Sequence, residues 1–321
     1  MVTDDTPRVI ALEEHYWDAD VARQFGVTDE QRPAELRRRL EDLGALRLKE
    51  MDEAGIDMQV LSHSSPAVQN LDPDKAIPMA RAMNDRLHEF IQGEPRRFAG
   101  FAALPTSDPD AAADELERAV VKLGLKGAMV HGLTRGRFFD ERQFWPIFER
   151  AQTLDVPLYL HPSRPHPAVI EAYYKEYVAQ NPALLTAGWG YTVETATQGV
   201  RLVLSGVFDA YPRLKIILGH LGEGLPFLLW RIDHALSRPG NRDPRFREQF
   251  CEHVYITTSG NFSDPALLCC ILEMGVDRIL FSVDWPFVPN MLGTTWINGV
   301  SLAKADKLKI LGGNARRLLR I

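Results

Sequence analysis

The chain has 321 residues, of which 45% are hydrophobic and 25% charged, and its formal net charge at pH 7 is −6. That balance excludes a disordered or low-complexity chain, because the apolar content is sufficient to offset the entropy of folding, and the absence of a basic run argues against a nucleic-acid partner. No apolar run reaches the length of a membrane span, and the opening MVTDDTPRVIALEEH lacks the basic-then-apolar pattern of a secretion signal, so a cytoplasmic protein with no membrane association is expected.

The first apolar run, VIAL (9–12), leads into Glu13-Glu14-His15. A long connection (16–57) follows, carrying the charged helical stretch PAELRRRLEDLGALRLKEMDEAG. The second run, MQVLS (58–62), leads into His63, and residues 74–92 then place Ala80, Met83, Leu87 and Ile91 on one helical face. After FAGFAAL (98–104), a helix is predicted over 108–124, with Asp108 as cap, Pro109 in the first turn and Gly124 as the stop. GAMV (127–130) ends at His131 and PLYL (157–160) at His161. A second long connection (162–214) bears Tyr, Trp and Thr residues, including Trp189; long loops on a rigid scaffold often shape a substrate pocket. KIILG (215–219) ends at His220, and residues 224–236 follow as a helix with Leu225, Leu228, Leu229 and Ile232 on one face. VYITT (254–258) and RILFS (278–282) complete the set, the last running into Val283-Asp284. Cys251, Cys269 and Cys270 form neither a metal framework nor a plausible disulfide, which fits a reducing compartment.

The runs are nearly continuous apolar segments, the pattern of parallel strands covered on both faces. Strand alternating with helix eight times predicts an α/β fold, a (β/α)8 TIM barrel with a helical insertion after the first strand. With no Gly- or Ser-rich linker to divide it, residues 1–321 are expected to form one domain.

Five of the nine histidines, His15, His63, His131, His161 and His220, fall at strand ends, which converge at the C-terminal mouth of such a barrel. Glu13 and His15 are two apart on one strand, so both can face inward while Glu14 points out. His161 and Asp284 would add an imidazole and a carboxylate. The resulting mixed N/O set suits one divalent ion, Zn²⁺ or Mn²⁺, with Mg²⁺ less natural. Glu223 stands three residues after His220, either fixing its tautomer or complementing a helix N-terminus. Arg231 faces an anionic substrate or an acidic neighbour. His63 and His131 line the pocket or make structural hydrogen bonds. Trp17, Phe287 and the aromatics around Trp189 pack against a flat ring or belong to the core.

The segments ALEEH, YLHP, ILGHLGE and SVDWP resemble the amidohydrolase superfamily, and more narrowly its metal-dependent non-oxidative decarboxylase branch, which acts on dihydroxybenzoates and aminocarboxymuconate semialdehyde. FAALPTSDPDAA, FDAYPRLKIILGHLGE, YITTSGNF and GGNARRLL extend the resemblance nearly end to end. It implies that Glu13, His15, His161 and Asp284 hold the ion without any organic cofactor. It further implies that His220, supported by Glu223, sits beside a small aromatic carboxylate, and that Asp284 delivers the proton. A carbon–carbon lyase is thus expected, converting a hydroxybenzoic acid to a phenol and CO₂ and assembling as a dimer or tetramer. Two positions depart from the branch: His131-Gly132 stands where Asn-Gly is expected, and Gln198 where a histidine is common. A hydrolase of a lactone or amide, with Asp284 as general base, is the alternative on the same ligands.

Overall fold

The computed structural model describes residues 9–24, 33–242 and 244–321. The expectation about a secretion signal rests partly on residues 1–8, and the first long connection includes 25–32; both stretches lie outside the described residues.

The eight apolar runs form parallel strands: β1 (Ile10–Tyr16), β2 (Met58–His63), β3 (Phe98–Gly100), β4 (Ala102–Ala103), β5 (Ala128–His131), β6 (Leu158–His161), β7 (Ile216–Leu218), β8 (Val254–Thr257) and β9 (Ile279–Leu280). The third run is divided into β3 and β4 at Phe101, where the chain passes its hydrogen bonds from one neighbour to the other. The Phe101 amide donates to the Leu61 carbonyl and the Ala102 amide to that of Gly127, each at 2.9 Å. Pairing follows chain order, β1-β2-β3 and β4 through β9. The segment after β9 meets β1: Glu14 and Trp285 form a parallel bridge, the His15 amide donates to the Trp285 carbonyl at 2.7 Å, and the Asp284 amide donates to the Glu13 carbonyl at 3.1 Å.

Period-two alternation divides the apolar side chains into two layers. Ile10, Leu12, Val60, Phe101, Met129, Tyr159, Ile217 and Leu280 fill the interior, joined by Ala315, Leu318 and Leu319 of the C-terminal helix Asn314–Leu319. Ala11, Leu61, Phe98, Ala102, Ala128 and Ile216 face outward and pack against the helices.

The helices stand largely where periodicity puts them. Asp108 caps Pro109–Val121 by accepting from the Ala111 amide at 3.0 Å, and Gly124 follows at φ +73° as the chain turns away. The insertion after β1 forms Ala34–Glu41 and Ala45–Ala54. One face is corrected. On the helix Leu225–Leu236, Leu225 and Leu229 are buried, but Leu228 is exposed beside Phe227 and Trp230. Leu228 lies at the margin of the 3.6-residue stripe and falls outside the packed contact.

Candidate metal centre and cavity

β1 determines which of its carboxylates enters the barrel. Its register against β2 slips by one residue between Ala11 and Glu14. The slip is a bulge, which re-aims the side chains beyond it. Leu12 and Glu13 consequently both face the interior, Glu14 faces out, and His15 faces in.

Glu13, His15, His161 and Asp284 each bring one ligand-type atom to within 4.8 Å of all the others. His161 Nε2 lies 3.2 Å from Glu13 Oε1, and His15 Nε2 lies 3.3 Å from Asp284 Oδ1. Glu13 Oε1 and His15 Nε2 are buried with no hydrogen-bond partner. Buried polar atoms without partners are costly, and a divalent cation among two carboxylates and two imidazoles would satisfy them. The donor set fits such an ion.

Supporting contacts orient the set. The His161 Nδ1–H donates to the Pro162 carbonyl at 2.7 Å, leaving the Nε2 lone pair facing Glu13. His15 Nδ1 lies 3.3 Å from Ser62 Oγ. The Tyr159 hydroxyl donates to Glu13 Oε2, and Thr257 Oγ1 lies 3.5 Å from the same oxygen. Gly219, directly after β7, leaves room for that carboxylate, since a Cβ there would stand 2.9 Å from Glu13 Oε2.

His220 and Glu223 lie on one left-handed turn. Residues 220 to 224 all have positive φ (His220 +50°, Leu221 +56°, Gly222 +73°, Glu223 +55°, Gly224 +76°). Three of them carry side chains, a costly conformation that persists only where its surroundings impose it. The turn brings His220 Nδ1 to 2.7 Å from Glu223 Oε1 and His220 Nε2 to 3.9 Å from Asp284 Oδ2.

The electrostatics follow from burial and these neighbours. Burial, reinforced by His15, pushes the His161 imidazole down to about 4, so it is neutral and its lone pair could serve a cation. At His220 burial also disfavours the charge, but the carboxylates of Glu223, Glu13 and Asp284 outweigh it and hold the imidazole well above its ordinary range. Burial raises the Asp284 carboxyl, yet His15 and His220 prevail and bring it to about 2. Burial and Glu13 keep the Tyr159 phenol protonated.

Above the four lies a cavity of about 820 Å³ lined by His161, His220, Asp284 and Phe287, with Ser163, Arg164, His166 and Tyr191 from the second long connection. Phe287 is half-exposed and its ring meets His15 edge-on at 5.7 Å. His131 packs against the His161 ring at 4.8 Å, with its Nδ1 buried and unpartnered. His63 turns elsewhere: Nδ1 donates to the Ser64 carbonyl at 2.7 Å and Nε2 accepts from the Asp18 amide at 3.0 Å. Trp17 is part-buried outside the cavity lining. Arg231 is exposed and does not line the cavity, because its helix buries the opposite face through Leu225, Pro226 and Leu229. Sequence reading missed Tyr159, Arg164 and His166. The length of the second connection was the one available signal for the latter two.

Comparison with known proteins gives the family and the fold. The family described as Amidohydrolase matches residues 13–321. A γ-resorcylate decarboxylase of Rhizobium sp. is 45% identical over 325 residues, covering 97% of this chain and 98% of its own. A crystal structure of 2,6-dihydroxybenzoate decarboxylase complexed with 2,6-dihydroxybenzoate superposes with a TM-score of 0.90 at 44% identity, covering 98% of each chain. That of a dihydroxybenzoic acid decarboxylase from Polaromonas sp., with bound manganese and the inhibitor 2-nitroresorcinol, gives 0.90 at 43% identity, covering 98% of this chain and 97% of the other.

Proposed function

The chain belongs to the amidohydrolase family, and from that premise we propose that it is a metal-dependent carboxy-lyase removing CO₂ from a hydroxybenzoic acid, with 2,6-dihydroxybenzoate as the first substrate to test. The observation that carries the reading is the quartet of buried Glu13, His15 and His161 with part-buried Asp284, in which Glu13 Oε1 and His15 Nε2 are unpartnered beneath a cavity wide enough for an aromatic ring. Glu13, His15, His161 and Asp284 would hold a divalent ion, whose positive charge would attract the substrate carboxylate and favour the ortho phenolate. Manganese is the first choice, supported by its presence in the Polaromonas relative, and zinc the second.

The protein's part is to hold and move one proton. His220 carries it between Glu223 and Asp284. The two oxygens of Asp284 are divided between tasks, Oδ1 toward His15 and Oδ2 toward His220. That division supports Asp284 as both ligand and carrier of the proton from His220 to the ring. A C–H bond forms at the ring carbon bearing the carboxylate, using electron density pushed there by the phenolate. The C–C bond to the carboxylate then breaks, CO₂ leaves, and the electron pair stays in the ring and restores aromaticity. No organic cofactor is required. Phe287 walls one side of the ring, while Arg164 and His166 face its substituents.

The test strips the protein with a chelator, restores Mn²⁺ or Zn²⁺, and follows CO₂ release from a series of hydroxybenzoic acids beside lactone and amide hydrolysis. Metal-dependent CO₂ release is expected. Ring opening of a lactone without CO₂ release would transfer the same residues to a hydrolase. Exposed apolar side chains, Phe227, Trp230, Leu272 and Met291 among them, support self-association as a dimer or tetramer, which sedimentation measures directly.

A further inference from the structure

Glu14 stands between two of the proposed ligands but takes no place among them. The bulge in β1 turns it out of the barrel, where it is fully buried. Its Oε1 accepts from Ser282 Oγ at 3.0 Å and from the Val283 amide at 2.9 Å. Its Oε2 accepts from the Trp285 amide at 3.1 Å and faces Gln59 Nε2 at 3.5 Å. Those two amides flank Asp284, whose φ is +76°. A non-glycine residue stays in that region only when its surroundings hold it there.

A second set of contacts braces the arrangement from the inserted helix Ala45–Ala54. The buried Arg47 guanidinium donates to the His15 carbonyl at 2.6 Å and to Gln59 Oε1 at 3.1 Å. It also stacks on the Trp285 ring at 4.0 Å. The Trp285 indole N–H donates to Glu50 at 2.7 Å. Glu14 of β1 thus holds the residues on both sides of Asp284, and the insertion holds Trp285.

We infer that Glu14 is a positioning residue for the proposed reaction: by accepting from the amides on both sides of Asp284 it fixes the left-handed turn that presents one Asp284 oxygen to the ligand cluster and the other to His220. The inserted helix serves the same end through Arg47 and Glu50. The inference rests on the reading of Asp284 as ligand and proton carrier.

Glu14→Gln changes little volume but sets an NH₂ against one of the amide donors. Mn²⁺ affinity, read from the electron paramagnetic resonance of the free ion, is expected to fall about 10- to 100-fold, the usual effect of losing a partner behind a ligand. kcat falls with it. In an Asp284→Ala background the same change is expected to leave affinity within about twofold, since the ligand being positioned is gone. An equal loss in both backgrounds makes Glu14 a general structural residue and overturns the inference. Hydrogen exchange of the unmodified protein gives a measure independent of any variant's folding. The Val283 and Trp285 amides are expected to be as protected as those of β1, and exchange at the rate of an open loop overturns the inference too. A wild-type protein that neither binds Mn²⁺ nor releases CO₂ defeats the functional reading itself. One that does both, and is matched by Glu14→Gln, defeats only this inference.

Discussion

The hydroxyl of Tyr159, on β6, donates to the carboxylate of Glu13, on β1, across the barrel interior, with both side chains out of contact with water. Tyr159 is itself held by Thr257, its oxygen 2.8 Å from Thr257 Oγ1, which lies 2.7 Å from Ser259 Oγ. This chain of hydroxyls occupies Glu13 Oε2 and leaves Oε1 as the oxygen that faces His15 and His161. A strand aromatic that reads as ordinary core therefore decides which atom of a proposed ligand is free.

Tyr159→Phe tests that relationship. The ring keeps its place in the interior, so the fold is expected to persist, but Glu13 loses its principal donor. Mn²⁺ affinity is expected to drop by about tenfold or more, measured by titration of the metal-stripped protein. Unchanged affinity would reduce the hydroxyl to a packing detail.

Asp284→Asn removes the ionisable oxygen that faces His220. A loss of about 10²- to 10⁴-fold in kcat is expected, the usual scale of a missing general acid. Steady-state CO₂ release at saturating Mn²⁺ separates this from weaker metal binding. Full turnover in this variant would remove Asp284 from the proton path.

Glu223→Gln addresses the pH dependence. Burial alone would lower the His220 pKa, and the carboxylates of Glu223, Glu13 and Asp284 reverse that. In the proposed mechanism His220 donates only while protonated, so activity is expected to be lost as pH rises through its pKa. Removing the Glu223 charge lowers that pKa, and the alkaline limb of the kcat profile is expected to move toward acid. An alkaline limb that stays in place would assign it to another group.

Much of this was legible in the chain because burial on both faces leaves a strong mark. Parallel strands inside a helical layer read as short unbroken apolar runs, and the polar residue ending each run marks the barrel mouth. His15, His161, His220 and Asp284 were visible on that ground alone. What was hidden depends on backbone geometry that side-chain identity does not encode. The spacing of Glu13 and His15 placed both inward and Glu14 out, as the structure has them, but alternation from Ile10 and Leu12 would put Glu14 inside, and ALEEH carries no sign of the bulge that reconciles the two. The pairing of His220 with Glu223 was foreseeable from their spacing, but the left-handed turn that makes it was not. His63 shares the strand-end position of His161, yet its ring serves the Asp18 amide and the Ser64 carbonyl. Arg231 sits on a helix whose buried face had to be known before its own direction could be.

Gly219→Ala separates site from stability. The glycine follows β7 in a conformation open to any residue, so alanine carries no backbone penalty and, by restricting the unfolded chain, is worth about 0.4–1 kcal/mol in favour of folding. Its Cβ, however, would stand 2.9 Å from Glu13 Oε2 and 3.3 Å from the Tyr159 hydroxyl. The carboxylate is buried and hydrogen-bonded, so it can give way only by leaving Tyr159 or by shifting Oε1 from its place between His15 and His161. A thermal midpoint within a few degrees of wild type is therefore expected together with a clear loss of Mn²⁺ affinity and CO₂ release. Loss of both stability and metal binding would show that the interior cannot absorb the methyl group. Retention of both would mean that Glu13 has more freedom than its buried contacts imply, and that its place in the quartet is not fixed by Gly219.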